Sequence, residues 1–427
     1  MPIDRPSSNL LNDWLAYIDS INSKSISLGL DRVKLVKELC NLNPNFPVVL
    51  VAGTNGKGSS CKFLESILCS SGFNVGCYTS PHIFNFNERI CINKKSLSDD
   101  LIVDSIKFID SSRGKIPLTY FETTTLAAMS LMIKSNVDIA ILEVGLGGRH
   151  DAVNVFDPEI SLITSVSLDH QDYLGDTVEE IGYEKAGIFR KNKNAIINFD
   201  NPPNSVLDYA SDINADVSII GKNYKINCNH KTFDYISTEK SIVELPYPEA
   251  QGSHQMRNIA GVLRCIELLS KHLEVKKDAI VNGLLCCHLK GRIEILSQNP
   301  FIIVDVAHNP EAALSLYNFI SKSKNKGKVY AVFSVLEDKS IEDIIAPFIE
   351  LVDEWYISKI KSPRARPTIE ILNTIKSYKD ESLIYPSDNL QEAYMNAFKK
   401  SSLDDNIIVF GSFYTVSECL KKITPNG

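Results

Sequence analysis

The sequence predicts an α/β protein: a mostly parallel sheet in a larger first domain, then a smaller, Rossmann-like α/β domain. Two observations lead to this fold class. Short apolar runs end in segments rich in Gly, Ser, Asp and His, with helical patterns between them, as in parallel sheets. The pattern restarts near residue 301 after a stretch of different character. Because 427 residues exceed one ordinary core, we expect two domains, at residues 1–296 and 297–427.

Composition and charge argue against several classes of protein, namely nucleic-acid-binding, zinc-ribbon, secreted and membrane proteins. The chain has 52 acidic and 45 basic residues and a net charge of −7, whereas a nucleic-acid partner usually selects a basic face. The ten cysteines include no C-x-x-C pair, which argues against a zinc ribbon or a redox motif. No signal pattern opens the sequence, and no apolar run approaches the roughly 20 residues of a membrane span. We therefore expect a cytoplasmic monomer with small-molecule substrates and neither nucleic-acid nor membrane partners.

The first elements are helical and lead into a strand. Residues 8–40 have helical periodicity, interrupted by the polar break "SINSKSISLGLDRV". "FPVVLVAG" is a short apolar run and predicts a buried strand. It continues into a glycine-rich stretch and then into "SSCKFLESILCSSG", which has a helical pattern. The order strand, glycine loop, helix is typical of a phosphate-binding loop.

The loop sequence "VAGTNGKGSS" departs from the strict G-x-x-x-x-G-K-[ST] pattern, because Val51 and Gly58 occupy two of its fixed positions. Its glycines nevertheless allow successive backbone N–H groups to point at an anion, next to the positive end of the following helix. Lys57 would reach the β- and γ-phosphates, and Ser59 or Ser60 would supply a hydroxyl near Mg²⁺. The alternative is an ordinary glycine-rich turn. Three glycines and a lysine between strand and helix favour nucleotide binding.

Three further apolar runs end in polar groups. Ser80 closes "FNVGCYTSPH", Glu143 closes the run in "VDIAILEVGLGGRHDAVN", and His170 closes "EISLITSVSLDHQDYLG". Ligands of parallel sheets bind beyond the carboxyl ends of the strands, so these groups suit an Mg²⁺ held partly by substrate phosphates. Histidine is an unusual ligand for a hard cation. A structural His and a salt-bridged Glu are the alternatives; the shared position at strand ends favours the metal.

The rest of the chain divides into five stretches. "NAIINF" is one more candidate strand, and residues 215–250 show short alternating runs that predict a small β-rich segment. "HQMRNIAGVLRCIELLSKHL" predicts a helix, and "GRIEILSQNP" is interpreted as a linker. Strand–loop–helix units restart with "FIIVDVAHNPEAALSLYNFI" and continue to the end.

Four residues of these later stretches are candidates for chemistry. Lys185 lies on a helix after acidic residues, where a lysine is usually a solvated charge. Arg292 lies at the predicted linker and would pair with a transferring phosphate only if the domains close; a surface arginine is the alternative. Asp305 and His308 follow a strand, which would place them toward a cleft between the domains.

Taken together, the motifs resemble those of the folate ligases, the dihydrofolate synthase/folylpolyglutamate synthase enzymes of the Mur ligase superfamily. The resemblance runs from about residue 10 to residue 420 without a large gap. Its segments occur in the family's order, namely "VAGTNGKGSS", "SPHI", "YFETTTLAA", "EVGLGGRHDA", "SLDHQDYLG", "EKAGIFR", "HQMRNIA", "GRIEIL", "DVAHNPEAA" and "GSFYTVSE".

The resemblance implies specific site residues. In this family the loop is G-T-N-G-K-G-S/T, so the departure from the strict pattern is the family's own. It implies that ATP is contacted by Thr54, Asn55, Gly56, Lys57, Asn258, Arg292 and Asp305. The contacts of Arg292 and Asp305 would come from across the domain cleft. It implies an Mg²⁺ site at Ser80, Glu143 and His170. Lys185 matches a lysine that is often carbamylated in the family, and the resemblance assigns catalysis to Lys57, Lys185, His170 and Arg292.

For the pterin substrate, the resemblance implies three segments, and we add His308 to this substrate set. The segments comprise Ser20, Ile21, Asn22, Ser23, Thr119, Tyr120, Phe121, Glu122, His150, Asp151 and Ala152. The family commonly has Leu or Met at position 150 and Thr at position 153, where this chain has His150 and Val153. These departures concern the pterin contacts and leave the ATP site unchanged.

The implied activity is ATP-dependent ligation of L-glutamate, with ATP and Mg²⁺ as cofactors. The acceptors are dihydropteroate, which becomes dihydrofolate, and the glutamyl tail of reduced folates, and the intermediate is an acyl phosphate. The "LTYFE" stretch resembles the bacterial bifunctional type. The alternatives are a monofunctional folylpolyglutamate synthase and a P-loop nucleotide switch. A Mur ligase of cell-wall precursors is disfavoured, because its extra N-terminal domain would need more chain before the phosphate loop.

Overall fold

The structure is a computed structural model that describes residues 4–22 and 29–423. Contacts within the chain divide it into two compact units. The first unit comprises Met1–Glu249 and Met256–Cys287, and the second unit comprises Ala250–Gln255 and His288–Gly427. The sequence predicts a boundary between residues 296 and 297, whereas the main part of the second unit begins at His288.

The first unit contains a large sheet of eight strands. In chain order they are β1 (Val48–Ala52), β2 (Val75–Tyr78), β3 (Ile90–Ile92), β4 (Lys95–Ser96), β5 (Ile139–Glu143), β6 (Ile160–Ile163), β7 (Asn194–Ile197) and β8 (Asp216–Ile219). Across the sheet they lie in the order β4-β3-β2-β5-β1-β6-β7-β8. The β2–β3 and β3–β4 pairs are antiparallel and every other pair is parallel. The predicted mostly parallel sheet is confirmed.

The central strands position the site. Every residue of β1 and of β5 is buried, as expected for parallel strands covered on both faces, which appear in sequence as continuous apolar runs. β1 lies between β5 and β6, with Val51 paired to Glu143 and Ala52 paired to Ile163. Because these three strands are parallel and in register, the loops after them emerge at one edge of the sheet.

Helices cover this sheet. Those of the first unit include α1 (Leu11–Ile21), α2 (Asp31–Leu39), α3 (Lys57–Ser70), α4 (Asp99–Arg113), α5 (Tyr120–Lys134), α6 (Gln171–Leu174), α7 (Val178–Ala186) and α8 (Asn204–Asp212). Helix α9 (Ser253–Leu269) has its first three residues in the second unit, and α10 (Lys277–Leu285) packs against α3. Helices α1 and α2 lie within the stretch 8–40 that is predicted to be helical, and residues 23–28 of the predicted break lie outside the described residues.

The predicted β-rich segment is confirmed. It forms a three-stranded antiparallel sheet in the first unit, made of β9 (Tyr224–Cys228), β10 (Thr232–Ser237) and β11 (Ser241–Pro246). Phe233 and Tyr235 alternate with more exposed residues along β10 and are fully buried, so this small sheet has one packed face.

The second unit is a smaller α/β layer structure, as predicted. Its strands are β12 (Glu294–Gln298), β13 (Phe301–Val304), β14 (Val329–Phe333), β15 (Glu354–Ile357), β16 (Ile384–Pro386) and β17 (Asn406–Phe410). They lie in the order β12-β13-β17-β14-β15-β16, parallel except for β12. The helices are α11 (Pro310–Ser323), α12 (Ile341–Ile345), α13 (Thr368–Lys376), α14 (Leu390–Lys400) and α15 (Phe413–Ile423).

One interpretation was wrong. The stretch 291–300 is not a linker, because its residues 294–298 form the edge strand β12, antiparallel to β13. Charged and polar residues flank its two apolar residues, so the strand resembled a loop in sequence; only the pairing with β13 identifies it. None of the ten cysteines, all within the described residues, forms a disulfide. Across residues 4–22 and 29–423, the helices lack the combined length and apolar character that a bilayer crossing requires.

Candidate active site

The glycine-rich loop between β1 and α3 is held by the segment that follows β6. The N–H of Thr54 donates to the carbonyl of Ser165 (3.0 Å), and the N–H of Asn55 donates to Ser165 Oγ (2.9 Å). Thr54 Oγ1 accepts from the N–H of Ser167 (3.0 Å). Thr164 Oγ1 donates to the carbonyl of Asn55 (2.5 Å). These bonds fix the first half of the loop within the protein itself, so its geometry is organised in advance.

Two glycines of the loop are required by their neighbours. A Cβ on Gly53 would lie 1.9 Å from Thr164 Oγ1, and a Cβ on Gly56 would lie 2.4 Å from Asn258 Oδ1. Gly56 also has a φ of +86°, which side chains rarely adopt. Asn258, predicted to bind ATP, is 5% exposed and lies against the phosphate loop.

The second half of the loop is the start of α3. Lys57 is its first residue, and Nζ donates to the carbonyls of Gly53 (2.8 Å) and Thr54 (3.1 Å). The N–H groups of a first helical turn have no partner within the helix and favour an anion. Ser59 and Ser60 are buried, and Ser60 Oγ has no hydrogen-bond partner among the described residues. Their predicted role near Mg²⁺ stays a prediction.

Two of the three predicted metal ligands meet at neighbouring strand ends. The N–H of Ser80, just after β2, donates to Oε2 of Glu143 (2.9 Å), which ends β5 and is 4% exposed. Among residues 4–22 and 29–423, no group of three or more His, Cys, Asp or Glu side chains is arranged to hold a metal. One carboxylate and one hydroxyl nevertheless suit Mg²⁺, which takes most of its ligands from water and phosphates.

A small pocket lies at the carboxyl ends of β1, β5 and β6, lined by Gly53, Thr54, Lys57, Val144, Gly145, Leu146, Gly147, Asp169, His170, Leu174 and Lys185. His170 has a φ of +53°, and its N–H donates to Asp169 Oδ1 (2.9 Å). The third predicted metal ligand thus lines the pocket, whereas Ser80 and Glu143 are not among its lining residues. Three of the four predicted catalytic residues meet here: Lys57, His170 and Lys185.

Lys185 is unusual among the residues of this pocket because its side chain is a buried lysine. It lies on α7 and is only 4% exposed. Burial, followed by the nearby cation of Lys57, lowers the pKa of Lys185 to about 7, while Asp169 opposes this shift. A solvated lysine, which the spacing alone favoured, is therefore excluded. Near neutral pH a substantial fraction of its amine is uncharged, and the pocket favours an anion that would balance its two lysines.

The predicted substrate segment Thr119–Glu122 begins α5 with a capping box. The N–H of Glu122 donates to Thr119 Oγ1 (3.2 Å), and the N–H of Thr119 donates to Glu122 Oε2 (2.8 Å). A Cβ on Gly145 would lie 2.7 Å from the ring of Phe121, so this ring touches a residue of the pocket wall. The ring of Tyr120 lies edge-on to Phe86, with centroids 6.1 Å apart.

The second predicted substrate segment follows that wall. Asp151 is 5% exposed and accepts from the N–H groups of Leu146 (2.8 Å) and Val153 (3.0 Å). Burial raises the pKa of Asp151 to about 7, although these amides oppose the shift. Ala152 is buried, whereas His150 is exposed. Asp151 therefore shapes the wall from inside, and His150 lies on the outside of the loop.

Arg149 ties the same loop to the helix of Lys185. Its N–H donates to the carbonyl of Glu184 (2.8 Å), and Nη2 donates to the carbonyl of Tyr183 (3.1 Å). Its guanidinium lies over the rings of Tyr183 (4.0 Å) and Tyr209 (4.5 Å). The pocket wall and α7 are thus joined by one side chain, which sequence reasoning did not identify.

In the second unit, Asp305 organises the segment of Arg292. Asp305 follows β13 and is 7% exposed; its oxygens accept from the N–H groups of Ile293 (2.7 Å) and Ala307 (2.7 Å). Burial raises the pKa of Asp305 to about 6, although Arg292 opposes the shift. The guanidinium of Arg292 lies 4.8 Å above the ring of Phe413.

The remaining predicted residues occupy the end of α1 and the loop after β13. Ser20 Oγ donates to the carbonyl of Tyr17 (2.7 Å), and Asn22 Nδ2 donates to the carbonyl of Pro117 (3.0 Å). Ile21, half-buried, ends α1. Ser23 lies outside the described residues. His308, in the second unit, has Nδ1 2.9 Å from the carbonyl of Val306.

Sequence reasoning did not identify the residues that support the site from behind without lining the pocket. Thr164, Ser165 and Ser167 brace the phosphate loop, and their signal was the run of hydroxyl residues after β6. Arg149 had no signal beyond its place in a glycine-rich stretch. Such braces join distant parts of the chain, so no local pattern shows which residues they hold.

Comparison with known families gives two matches. Residues 51–265 match the Mur ligase middle domain, and residues 291–413 match the Mur ligase glutamate ligase domain. The first match covers the phosphate loop, the pocket wall and Lys185. The second match covers Arg292 and Asp305.

Comparison with individual proteins covers nearly the whole chain. The dihydrofolate synthase/folylpolyglutamate synthase of Escherichia coli (strain K12) is 37% identical over 414 residues, which are 97% of this chain and 95% of that protein. The structure of E. coli FolC in complex with DHPP and ADP has a TM-score of 0.93 and 36% identity, with 99% of each chain covered. A bifunctional folylpolyglutamate synthase/dihydrofolate synthase with Mn, AMPPNP and L-glutamate bound has a TM-score of 0.89 and 36% identity, with 97% and 98% covered.

Proposed function

The chain belongs to the dihydrofolate synthase/folylpolyglutamate synthase family of Mur-type ligases, and we infer that it joins L-glutamate to dihydropteroate and to reduced folates at the expense of ATP. The observation that carries this inference is the pocket at the carboxyl ends of β1, β5 and β6. It combines a braced phosphate loop with two lysines, one of them buried. The lysines and the N–H groups at the start of α3 favour an anionic ligand, and a transferring phosphoryl group is one.

The reaction has two steps. A carboxylate oxygen of the pteroyl substrate attacks the γ-phosphorus of ATP, the bond to the β–γ bridging oxygen breaks, and ADP leaves. The amine of L-glutamate then attacks the acyl carbon of the acyl phosphate, loses a proton and expels inorganic phosphate, which leaves an amide. Phosphorylation is needed because the oxygen of a free carboxylate is a poor leaving group. The protein's contribution is positioning and charge neutralisation.

The first-unit residues have separate roles in this proposal. The N–H groups at the start of α3 hold the phosphates, and Lys57 moves from the loop carbonyls to the β- and γ-phosphates. Asn258 contacts the nucleotide beside Gly56. Thr119, Phe121 and the segment around Asp151 bind the pterin. Arg292 and Asp305 of the second unit keep the roles that the family resemblance implies, and His308 keeps its predicted place in the substrate set.

Mg²⁺ fits the donor groups that the first unit offers. Glu143, Ser80 and His170 would hold it, and it would withdraw charge from the phosphate oxygens. Lys185, with its lowered pKa, presents a neutral amine that can attack the carbon of CO₂ and lose a proton to give a carbamate. We propose that modification because a buried carbamate would supply an anion facing Lys57.

The test is an assay of ADP release with dihydropteroate or tetrahydrofolate, each with and without L-glutamate. We expect release to require the pteroyl substrate and glutamate together, and product mass to increase by one glutamyl residue. Turnover with tetrahydrofolate but not dihydropteroate would favour the monofunctional synthase. ATP hydrolysis that ignores both co-substrates would favour a nucleotide switch and refute the ligase.

We also propose that the enzyme is a cytoplasmic monomer. Small, soluble substrates support this location, and each unit buries its own apolar core. Sedimentation of the purified chain, with and without ATP, tests the oligomeric state.

A further inference from the structure

The segment that begins α5 is fixed from outside by an arginine that the family motifs do not include. Arg32 lies in the first turn of α2, 90 residues before Glu122 in the chain. Its Nε donates to Glu122 Oε2 (2.9 Å), and Nη2 lies 2.8 Å from Glu122 Oε1. This is a two-point contact between a planar guanidinium and a carboxylate, the most directional ion pair that side chains form.

The carboxylate in this pair is buried and has a second task. The Glu122 side chain is 6% exposed, and the Arg32 side chain is 22% exposed. Glu122 Oε2 also accepts from the N–H of Thr119 and so closes the capping box of α5. Because one carboxylate serves the helix start and Arg32 at once, the orientation of residues 119–122 depends on α2.

The start of α5 carries the segment that the proposed function assigns to the pteroyl substrate. Thr119 and Phe121 are predicted pterin contacts, and the Phe121 ring touches Gly145 of the pocket wall. A second contact holds the same stretch from α1, where Asn22 Nδ2 donates to the carbonyl of Pro117 (3.0 Å). The end of α1 and the start of α2 therefore contact residues 117–122 at two points.

We propose that Arg32 is a positioning residue for the pteroyl substrate, acting through the Glu122 carboxylate on Thr119 and Phe121. Its guanidinium binds the carboxylate at the start of the helix that carries the predicted pterin contacts, so we expect its effect to fall on the pteroyl substrate. This proposal rests on the proposed function. To that function the proposal adds a residue that controls the affinity for the pteroyl substrate, and this residue lies on a different helix from the binding segment.

A lysine cannot replace this arginine. Lysine keeps the positive charge but offers a single ammonium instead of two parallel N–H donors. Without Arg32, the buried carboxylate of Glu122 keeps the Thr119 amide but loses its charged partner, and a buried unpaired charge is unfavourable. The helix start then shifts or the carboxylate draws in water, and either change displaces Thr119 and Phe121.

The experiment compares Arg32→Ala and Arg32→Lys with wild type and with Lys34→Ala, which removes an exposed cation from the same helix. Steady-state ADP release gives kcat and the KM for dihydropteroate, ATP and L-glutamate. We expect Arg32→Ala to raise the KM for dihydropteroate at least tenfold, and Arg32→Lys to raise it about threefold. The KM for ATP and kcat should change by less than threefold, and Lys34→Ala should match wild type.

Two outcomes overturn the proposal. One is an unchanged KM for dihydropteroate in Arg32→Ala. The other is a parallel loss in kcat and in all three KM values together with a lower melting temperature, which would indicate a purely structural ion pair. If Arg32→Ala does not fold, Arg32→Lys tests the proposal: the KM for dihydropteroate should rise while the KM for ATP stays near the wild-type value. Wild-type turnover separates this result from the proposed function, because an inactive wild type refutes the ligase and an active one leaves only Arg32 in question.

A double variant tests the route through Glu122. Glu122→Gln keeps one acceptor for the Thr119 amide but removes the ion pair. If Arg32 acts through Glu122, then Arg32→Ala combined with Glu122→Gln should raise the KM for dihydropteroate no further than the more affected single variant does. Multiplied effects would show that Arg32 acts by another route.

Discussion

The two units both place site residues after parallel strands, yet they balance charge in different ways. In the first unit, Lys57 and the buried Lys185 line one pocket and raise each other's electrostatic energy. In the second unit, the buried carboxylate of Asp305 accepts two backbone N–H groups and lies near the cation of Arg292. Burial disfavours the charged form of Lys185 and of Asp305 alike, but the cation of Lys57 adds to that effect at Lys185, whereas a cation and two backbone N–H groups oppose it at Asp305.

The second unit uses the Asp305 carboxylate to hold a strained backbone. Ile293 has a φ of +47°, a value that β-branched residues rarely adopt. Its N–H donates to Asp305 Oδ2, and its side chain is 2% exposed. The strain sits beside Arg292, so Asp305 sets the backbone from which that arginine projects. Strain of this kind is usual next to functional residues and persists only where neighbours enforce it.

Similar strand ends in the two units therefore carry opposite relations between stability and function. Removing a charge from the first site should leave the fold stable and abolish function. Removing a charge from the second should weaken the fold around Arg292, a predicted ATP contact. Natural sites often retain such unfavourable groups because activity requires them.

The largest expected effect comes from Lys57→Ala. The rate of glutamate-dependent ADP release should fall on the order of 10²–10³-fold, the usual loss when one group that stabilises developing charge is removed. The free energy of unfolding should stay within about 1 kcal/mol of wild type, because the two lost hydrogen bonds are offset by relief of repulsion at Lys185. Kinetics and urea unfolding of the same preparation measure both. Lys95→Ala, an exposed lysine of the same unit, is the control.

Near-normal activity in Lys57→Ala would refute the phosphate-loop assignment. A loss of several kcal/mol in the free energy of unfolding would instead contradict the contrast between the two units, since it would show that Lys57 stabilises the fold without a ligand.

The next effect is the pH dependence that Lys185 imposes on stability. Burial lowers its pKa from 10.5 to about 7. Between these two values the unfolded chain binds a proton that the folded chain does not, so the free energy of unfolding rises with pH by about 1.4 kcal/mol per unit from this group. Below pH 7 the full penalty is present. Lys185→Met removes this slope, so its stability gain over wild type should be largest near pH 7 and shrink toward pH 10.

Urea unfolding at pH 7, 8 and 9 in CO₂-free buffer measures this difference, with Lys191→Met as the control because Lys191 is exposed. Parallel pH profiles of wild type and Lys185→Met would mean that Lys185 keeps an ordinary pKa, and the asymmetry between the two units would then be lost.

The third effect belongs to the second unit. Asp305→Asn leaves one acceptor for two backbone N–H groups, and an unsatisfied buried amide costs about 1–3 kcal/mol. The free energy of unfolding should fall by this amount, and the KM for ATP should rise because the backbone of Arg292 and Ile293 loses its anchor. Asp405→Asn is a matched control, since Asp405 also accepts from two backbone N–H groups, those of Lys328 and Ser402.

Asp405→Asn should lower stability to a similar extent and leave the KM for ATP unchanged. If Asp305→Asn and Asp405→Asn had the same kinetics, Asp305 would be a structural carboxylate only. A stable Asp305→Asn variant would show that the amides of Ile293 and Ala307 find other acceptors.

The sequence predicted features that are encoded locally. Strand–loop–helix order, the glycine loop and the small β-rich segment follow from runs of adjacent residues, and each is found in the structure. The bonds that brace the loop connect residues about 110 positions apart, such as Thr54 and Ser165. The Arg32–Glu122 pair spans 90 positions. Burial of Lys185 depends on how α7 packs, so its helical pattern alone suggested a solvated charge.

The smallest expected effect is that of His150→Leu, which introduces a residue that the resemblance to the folate ligases implies at this position. His150 is exposed, whereas the neighbouring Asp151 is buried and holds the wall by its bonds to Leu146 and Val153. We therefore expect the KM for dihydropteroate to change by less than threefold, or about 0.6 kcal/mol, and Asp151→Asn to change it far more. A tenfold change in His150→Leu would show that a solvent-facing side chain contacts the substrate. In that case affinity would not be set mainly by the buried groups of the first unit.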